Sequence, residues 1–284
     1  MNAHQSKINS VLSAIGFQSL NPLQEETLEK SVTSKNVLIL SQTGSGKTFA
    51  FLLPLFLNLD PEAKHIQALV LAPSRELALQ IEDVWRSMKT NFKVLSCYGG
   101  HSISTEKKSL TEAPALLIGT PGRICDHISR GTIALSMVEQ FVVDEYDKCL
   151  EFGFDDQMSY INEEFRCIEK LTLVSATEHK EFPNYLSFDQ PAVINQLHLS
   201  EDPDITFWKF PVRNQNKFER LFDLLCTFNG ELSIVFCNFR EATESVCSYL
   251  SENGYDAIVY HGGMEQDERE RALIKFRNGS FHTL

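Results

Sequence analysis

The 284-residue sequence has no apolar stretch long enough to span a bilayer. Its longest, Phe49 to Leu57, is short and interrupted by Pro54, whereas a spanning helix needs about 20 apolar residues. No N-terminal charged-then-apolar layout marks a secretory signal. Cysteine never occurs in C-x-x-C spacing, and the seven present are scattered and odd in number. That pattern argues against a disulfide framework and a structural zinc site, and leads us to expect reduced thiols in a cytoplasmic protein without membrane association. Basic residues are also scarce, 26 Lys and Arg against 38 Asp and Glu for a net charge of −12, and both halves of the chain are acidic. A basic nucleic-acid-binding domain is thereby excluded, though a local groove of lysines and arginines is not. Low-complexity tracts and short repeats are absent too. What remains, 43% hydrophobic and 23% charged residues, is enough to build a core, and the length predicts two domains.

Short apolar runs recur between helix-length amphipathic stretches. In the first two-thirds they are Val37–Leu40, Ala68–Ala72, Ala115–Ile118, Phe141–Val143 and Leu171–Val174. They are continuous rather than alternating, as strands buried on both faces of a parallel sheet require. Segments such as Ser74–Met88 and Arg123–Ser129 are long enough for crossover helices. The expectation is a doubly wound α/β domain over residues 1–197. A polar, acidic, turn-rich linker follows at 198–205. A second unit of the same kind then begins at 206, with strand candidates at Ser233–Cys237 and Ala257–Tyr260 around a helix near Arg240–Asn253. It has room for about half the strands of the first.

One stretch carries phosphate chemistry. Val37–Leu40 runs into Ser41-Gln42-Thr43-Gly44-Ser45-Gly46-Lys47-Thr48, which reads as strand, glycine-rich turn, helix. Glycines at 44 and 46 let backbone N–H groups turn inward toward phosphate oxygens, and the helix start adds its positive dipole end. Lys47 is placed to reach β- and γ-phosphates, and the Thr48 hydroxyl to ligate Mg²⁺. The strict phosphate-loop pattern asks for glycine where this chain has Ser41, and a chance glycine turn is the bland alternative. The run Phe141-Val142-Val143-Asp144-Glu145 supplies an acidic strand tip. There Asp144 would hold Mg²⁺ through water and Glu145 would orient or deprotonate an attacking water. A solvated acidic turn is the alternative, and the two motifs together favour an ATPase.

Taken in order, these motifs resemble the DEAD-box family of ATP-dependent RNA helicases over nearly the whole chain. The resemblance implies two RecA-like domains, the second incomplete. It makes Gly16–Gln24 the adenine-reading segment, with Phe17 stacking on the base and Gln24 pairing with its edge, as an amide that both donates and accepts can. It assigns RNA-backbone contacts to Pro73, Ser74 and Arg75, to Gly99 and Gly100, and to Thr120, Pro121, Gly122 and Arg123 in the first domain. Gln266 and Arg269, within His261–Arg269, have that role in the second. Asp144-Glu145-Tyr146-Asp147 stands where the family has Asp-Glu-Ala-Asp, and Asp147 with Ser175 and Thr177 would couple hydrolysis to strand separation. The implied partner is RNA, gripped with little sequence readout, and the cofactors are ATP and Mg²⁺.

The sequence departs from the family pattern at several points. Leu20 and Asn21 stand for Pro-Thr, which is expected to blur the turn before Gln24. Ser74 replaces threonine but keeps the hydroxyl. Tyr146 must fit between strand and helix and could alter how Asp147 meets Ser175 and Thr177. The family's arginine-finger segments would follow Leu284. On that reading residues 1–284 bind nucleotide but turn it over at least about a thousandfold more slowly than an extended chain, and the second unit has an open strand edge. The competing functions are a nucleotide-dependent RNA-binding module without efficient turnover and a DNA-directed helicase of the same superfamily.

Overall fold

The computed structural model describes residues 2–100, 102–178, 182–197, 205–212 and 216–284, apart from the side chains of residues 2, 3 and 266. Most of the expected linker, 198–204, lies outside the described residues. The chain divides into two compact units, Met1–Pro203 and Asp204–Leu284.

In the first unit the five apolar runs form β1 (Asn36–Leu40), β2 (Ala68–Leu71), β4 (Leu116–Gly119), β5 (Gln140–Val143) and β6 (Lys170–Ser175). Two more strands, β3 (Val94–Cys97) and β7 (Ala192–Asn195), complete a seven-stranded sheet of order β3-β4-β2-β5-β6-β1-β7. Every pairing is parallel. Both additional strands are edges and less uniformly apolar, containing Ser96 and Asn195, which is why the apolar runs alone did not mark them. Alternation along each strand divides the core in two. Val37, Ile39, Val70, Ile118, Val142 and Val174 face α1 (Asn2–Ile15), α2 (Pro22–Thr33), α3 (Lys47–Leu57) and α4 (Arg75–Ser87). Leu38, Leu40, Leu69, Leu71, Leu117, Phe141, Val143 and Leu173 face α6 (Pro121–Ser129), α7 (Tyr146–Glu151) and α8 (Asp155–Glu163). Burying such a side chain contributes about 1.5–3 kcal/mol, so the continuous runs are the signature of a sheet covered on both sides. Helix α3 continues through Pro54, so that proline interrupts the apolar run in sequence without ending the helix. The parallel strands all leave the sheet at one edge, and the loops there carry the motifs, as open α/β sheets arrange their sites.

The second unit contains α9 (Lys217–Thr227), α10 (Arg240–Glu252) and α11 (Gln266–Arg277). Its small core joins Leu225, Leu250 and Ala257 with flanking side chains such as Phe222, Val235 and Tyr255. The two strand candidates do not become ladders. Ser233 and Ala257 instead make isolated parallel bridges to Thr283. Ser233 N–H donates to His282 O at 2.8 Å, Val235 N–H to Leu284 O at 2.9 Å and Ile258 N–H to Thr283 O at 3.0 Å. Residues 282–284 therefore lie between the two runs and bond to both. Phe236 is left 91% exposed.

Candidate nucleotide site

The loop between β1 and α3 is shaped by serine as much as by glycine. The buried Ser41 hydroxyl donates to Ser45 Oγ at 2.6 Å, and Ser45 Oγ donates to the Gln42 carbonyl at 2.9 Å. These short-range bonds curl the loop with serine at the position where the strict pattern asks for glycine. Gln42 Nε2 donates to Leu197 O at 3.1 Å. Gly44 and Gly46 have φ of +84° and +87°, a region that costs other L-residues roughly 1–2 kcal/mol. Gly46 is doubly constrained, because a Cβ there would lie 2.7 Å from Gln24 Nε2.

Asn21 links this loop to the expected adenine segment. It caps α2, accepting from Gln24 N–H at 2.9 Å, while its own N–H donates to Gln24 Oε1 at 2.9 Å. Its Nδ2 donates to Ser45 O at 3.0 Å. Asparagine is among the best N-cap residues, so the expected blurring of this turn does not occur. The reciprocal capping box fixes Gln24 against the loop. Phe17, 50% exposed, meets Phe49 edge-on with ring centres 6.0 Å apart.

A cavity of about 940 Å³ opens here, lined by Phe17, Asn21, Gln24, residues 43–48, Asp144 and Glu145. Ser41 and Gln42 are outside its lining and support the loop through their hydrogen bonds. Sequence reasoning missed Gln80 and Ser87 of α4 and Ala14 and Ile15 of α1, which complete the wall. Leu77, Gln80, Val84 and Ser87 form one helical stripe at i, i+3, i+7, i+10, but that period equally describes a core face.

Charge is concentrated on the cavity floor. Lys47 is buried, and its Nζ has no hydrogen-bond partner among the described residues. An ammonium enclosed without a partner is costly unless a ligand meets it. Asp144, at the tip of β5, is 2% exposed and accepts from Glu145 N–H at 2.9 Å through Oδ1. Burial pushes its carboxyl up to about 7 although the Lys47 charge pulls the other way. Glu145 adopts a left-handed backbone, φ +46° and ψ +51°, and also lines the cavity. The Thr48 hydroxyl and Asp144 carboxylate are hard oxygen donors of the kind Mg²⁺ takes, and the buried acid gains most from a neighbouring cation. The residues present fit a nucleotide triphosphate with its metal.

Beside the cavity, Thr177 Oγ1 donates to Asp147 Oδ2 at 3.2 Å. Ser175 Oγ accepts from Thr177 N–H at 3.0 Å and donates to Thr177 O at 2.8 Å. Ser175 thus reaches Asp147 through Thr177 and not directly. Tyr146 is fully buried in the second core, 6.0 Å from the Phe182 ring, so its bulk is absorbed there and the Asp147–Thr177 bond is retained.

The first-unit residues assigned to RNA occupy the tips of β2, β3 and β4, apart from the cavity lining. Pro73 is buried, and the Ser74 hydroxyl caps α4 by accepting from Leu77 N–H at 3.2 Å. Arg75 is buried over the Tyr98 ring, 4.7 Å from its centre. Gly99 and Gly100 are exposed, Gly100 with φ +95°. Thr120 precedes Pro121 at the start of α6, where no side chain caps the helix, and Gly122 is exposed. The Arg123 side chain is 12% exposed, and its Nε donates to Glu106 Oε2 at 2.7 Å. In the second unit Arg269 donates to Tyr260 Oη at 2.8 Å and covers its ring. Gln266 opens α11, with its side chain outside the described residues.

Known proteins resemble this chain over nearly its whole length. Residues 21–184 match the DEAD/DEAH box helicase family and residues 216–284 the helicase conserved C-terminal domain. The ATP-dependent RNA helicase DeaD of Escherichia coli is 33% identical over 286 residues, covering 99% of this chain and 46% of that protein. The DEAD-box ATP-dependent RNA helicase CshA of Bacillus subtilis is 33% identical over 285 residues, covering 98% and 58%. The chain thus spans about half the length of the curated relatives it matches. Among solved structures, a DEAD box protein from Methanococcus jannaschii aligns with TM-score 0.60 and 31% identity over 96% of this chain and 75% of that one. Saccharomyces cerevisiae Dbp5 bound to RNA and ADP BeF3 aligns with TM-score 0.83 and 26% identity over 98% and 72%. The phosphate loop, the acidic strand tip and these matches together establish that the chain belongs to the DEAD/DEAH box helicase family.

Proposed function

We propose that the chain binds ATP with Mg²⁺ in the first-unit cavity and uses it in an RNA helicase reaction, local duplex opening or remodelling of RNA–protein complexes. The observation that carries this reading is the buried Lys47 ammonium, unpartnered among the described residues, beside the still more deeply buried Asp144. Lys47 meets the terminal phosphates, and Thr48 and Asp144 hold the metal, Asp144 through water. The metal, when bound, neutralises charge on the phosphates. Glu145 orients or deprotonates the attacking water. Phe17 covers the base, and Gln24 reads its edge from the position its capping box fixes. Asp147, Ser175 and Thr177 pass the state of this site toward the RNA-facing loops.

RNA as the partner is supported by relatives named RNA helicases and by an aligned structure with RNA bound. The exposed Gly99, Gly100 and Gly122 suit close approach of a sugar–phosphate backbone. A cytoplasmic setting is supported by seven free cysteines, and no helix of the described residues is long and apolar enough to cross a membrane. Lys47→Ala should abolish ATP binding in calorimetric titration and leave the circular-dichroism spectrum unchanged. Unchanged ATP affinity would refute the assignment.

A further inference from the structure

Beneath the tips of β3 and β4, several groups converge on one buried carboxylate. Glu106 lies on α5 (Ile103–Ser109) and is 6% exposed. Its Oε2 accepts from Arg123 Nε at 2.7 Å and lies 2.6 Å from His127 Nε2. Its Oε1 accepts from the Tyr98 backbone N–H at 3.4 Å. His127 is wholly buried, and its other nitrogen lies 2.7 Å from Thr132 Oγ1. Tyr98 stacks under Arg75 and immediately precedes Gly99. Burial would raise the Glu106 carboxyl, but the hydrogen bonds from His127 and Arg123 outweigh it and hold the group below its ordinary range.

Cys97 Sγ also lies within 4.8 Å of the Glu106 and His127 donor atoms, so a metal centre has to be weighed. The arrangement speaks against it. Both His127 nitrogens and both Glu106 oxygens already have hydrogen-bond partners. The Cys97 thiol, raised to about 12 by burial and the Glu106 charge, stays protonated and is a poor ligand. The cluster is a hydrogen-bond hub.

What distinguishes this hub from an ordinary buried ion pair is where its bonds lead. They run to the residue before Gly99-Gly100, to the Arg123 end of Thr120–Arg123, and through the Tyr98 ring to Arg75. Those are the three first-unit segments assigned to the RNA backbone, and none of them lines the nucleotide cavity. Gly119 makes the same junction tight, since a Cβ there would lie 2.8 Å from the Cys97 carbonyl and 2.5 Å from Ile124 Cδ1.

We propose that Glu106 is a positioning residue for RNA-backbone binding, one buried carboxylate that holds three RNA-facing loops in mutual register. The inference rests on the RNA reading given above. Its test uses the 284-residue chain and a fluorescein-labelled single-stranded RNA followed by anisotropy, with fluorescent ATP as a separate readout. Glu106→Gln keeps the shape and loses the charge, so RNA binding should weaken about three- to tenfold, and Glu106→Ala should weaken it more than about tenfold. ATP affinity should be unchanged in both variants, a split that general unfolding would not produce. Hydrogen exchange at the Tyr98 amide should quicken in the glutamine variant without RNA present. Should the alanine variant not fold, the glutamine variant alone decides. Wild-type RNA affinity together with wild-type Tyr98 exchange in Glu106→Gln would overturn the proposal. Equal loss of RNA and ATP affinity would overturn it as well. Failure of the unaltered chain to bind RNA would instead overturn the RNA reading on which it rests.

Discussion

Asp144→Asn should make the ligand-free first unit more stable, and increasingly so as pH rises. The Asp144 carboxyl is displaced from an ordinary 3.8 to about 7, chiefly by burial. Below the unfolded value both states carry the proton, and burial of this group costs little. Between pH 4 and 7 the unfolded chain ionises first, so the folded state loses stability as pH rises through that window. Above 7 the full cost is present. At about 1.4 kcal/mol per pH unit, the span is worth about 4 kcal/mol. Asparagine does not titrate, and it keeps an oxygen to accept the Glu145 N–H that Asp144 Oδ1 now accepts. The chain has two tryptophans, of which Trp85 is buried in the first unit and Trp208 is exposed, so fluorescence from Trp85 follows the relevant transition. For a domain of this size the difference corresponds to a melting temperature roughly 10 °C higher for the variant at pH 8, shrinking toward zero at pH 4. Mg²⁺ with ATP should raise the melting temperature of the unaltered chain far more than that of the variant. A stability difference independent of pH, or a variant less stable at pH 8, would refute the reasoning.

Gln24→Ala should cost ATP binding about 1–3 kcal/mol and remove the preference for ATP over GTP in competition titrations. An unaltered chain that binds both nucleotides equally would show that Gln24 does not read the base. Gly46→Ala forces φ +87° on a residue with a Cβ and drives that atom onto the Gln24 amide. It should lower stability by roughly 1–2 kcal/mol in urea unfolding and weaken ATP binding, and wild-type behaviour in both would mean the loop does not hold this shape.

The parts of this molecule legible in its sequence are those where one physical requirement leaves one pattern. Strands covered on both faces must be apolar throughout, so β1, β2, β4, β5 and β6 stand out as runs. Edge strands β3 and β7 obey no such rule and were not marked. The phosphate loop is legible because glycines, a lysine and a preceding strand must coincide. The work done by Ser41 and Asn21 is not, since it depends on hydroxyl and amide groups meeting across a fold. Asn21 is instructive, because a departure expected to blur the adenine segment instead caps α2 and binds the loop. Arg75 and Arg123 are visible as arginines, but the burial of Arg75 and the partial burial of Arg123 are not, for both are set by partners on other elements, Tyr98 and Glu106. Strand candidates in the second unit are apolar enough, yet a ladder depends on pairing that a run by itself does not encode, and here Ser233 and Ala257 make isolated bridges to Thr283.

The central claim is that one chain joins an ATP site to an RNA-binding edge. Calorimetric titration of ATP with Mg²⁺ into the 284-residue chain, with and without saturating single-stranded RNA, tests it most directly. Coupled sites change each other's affinity by the same factor. RNA should tighten ATP binding by at least about fivefold, while DNA of the same sequence should have a smaller effect and GTP should bind weakly in either case. ATP affinity indifferent to RNA would contradict the account.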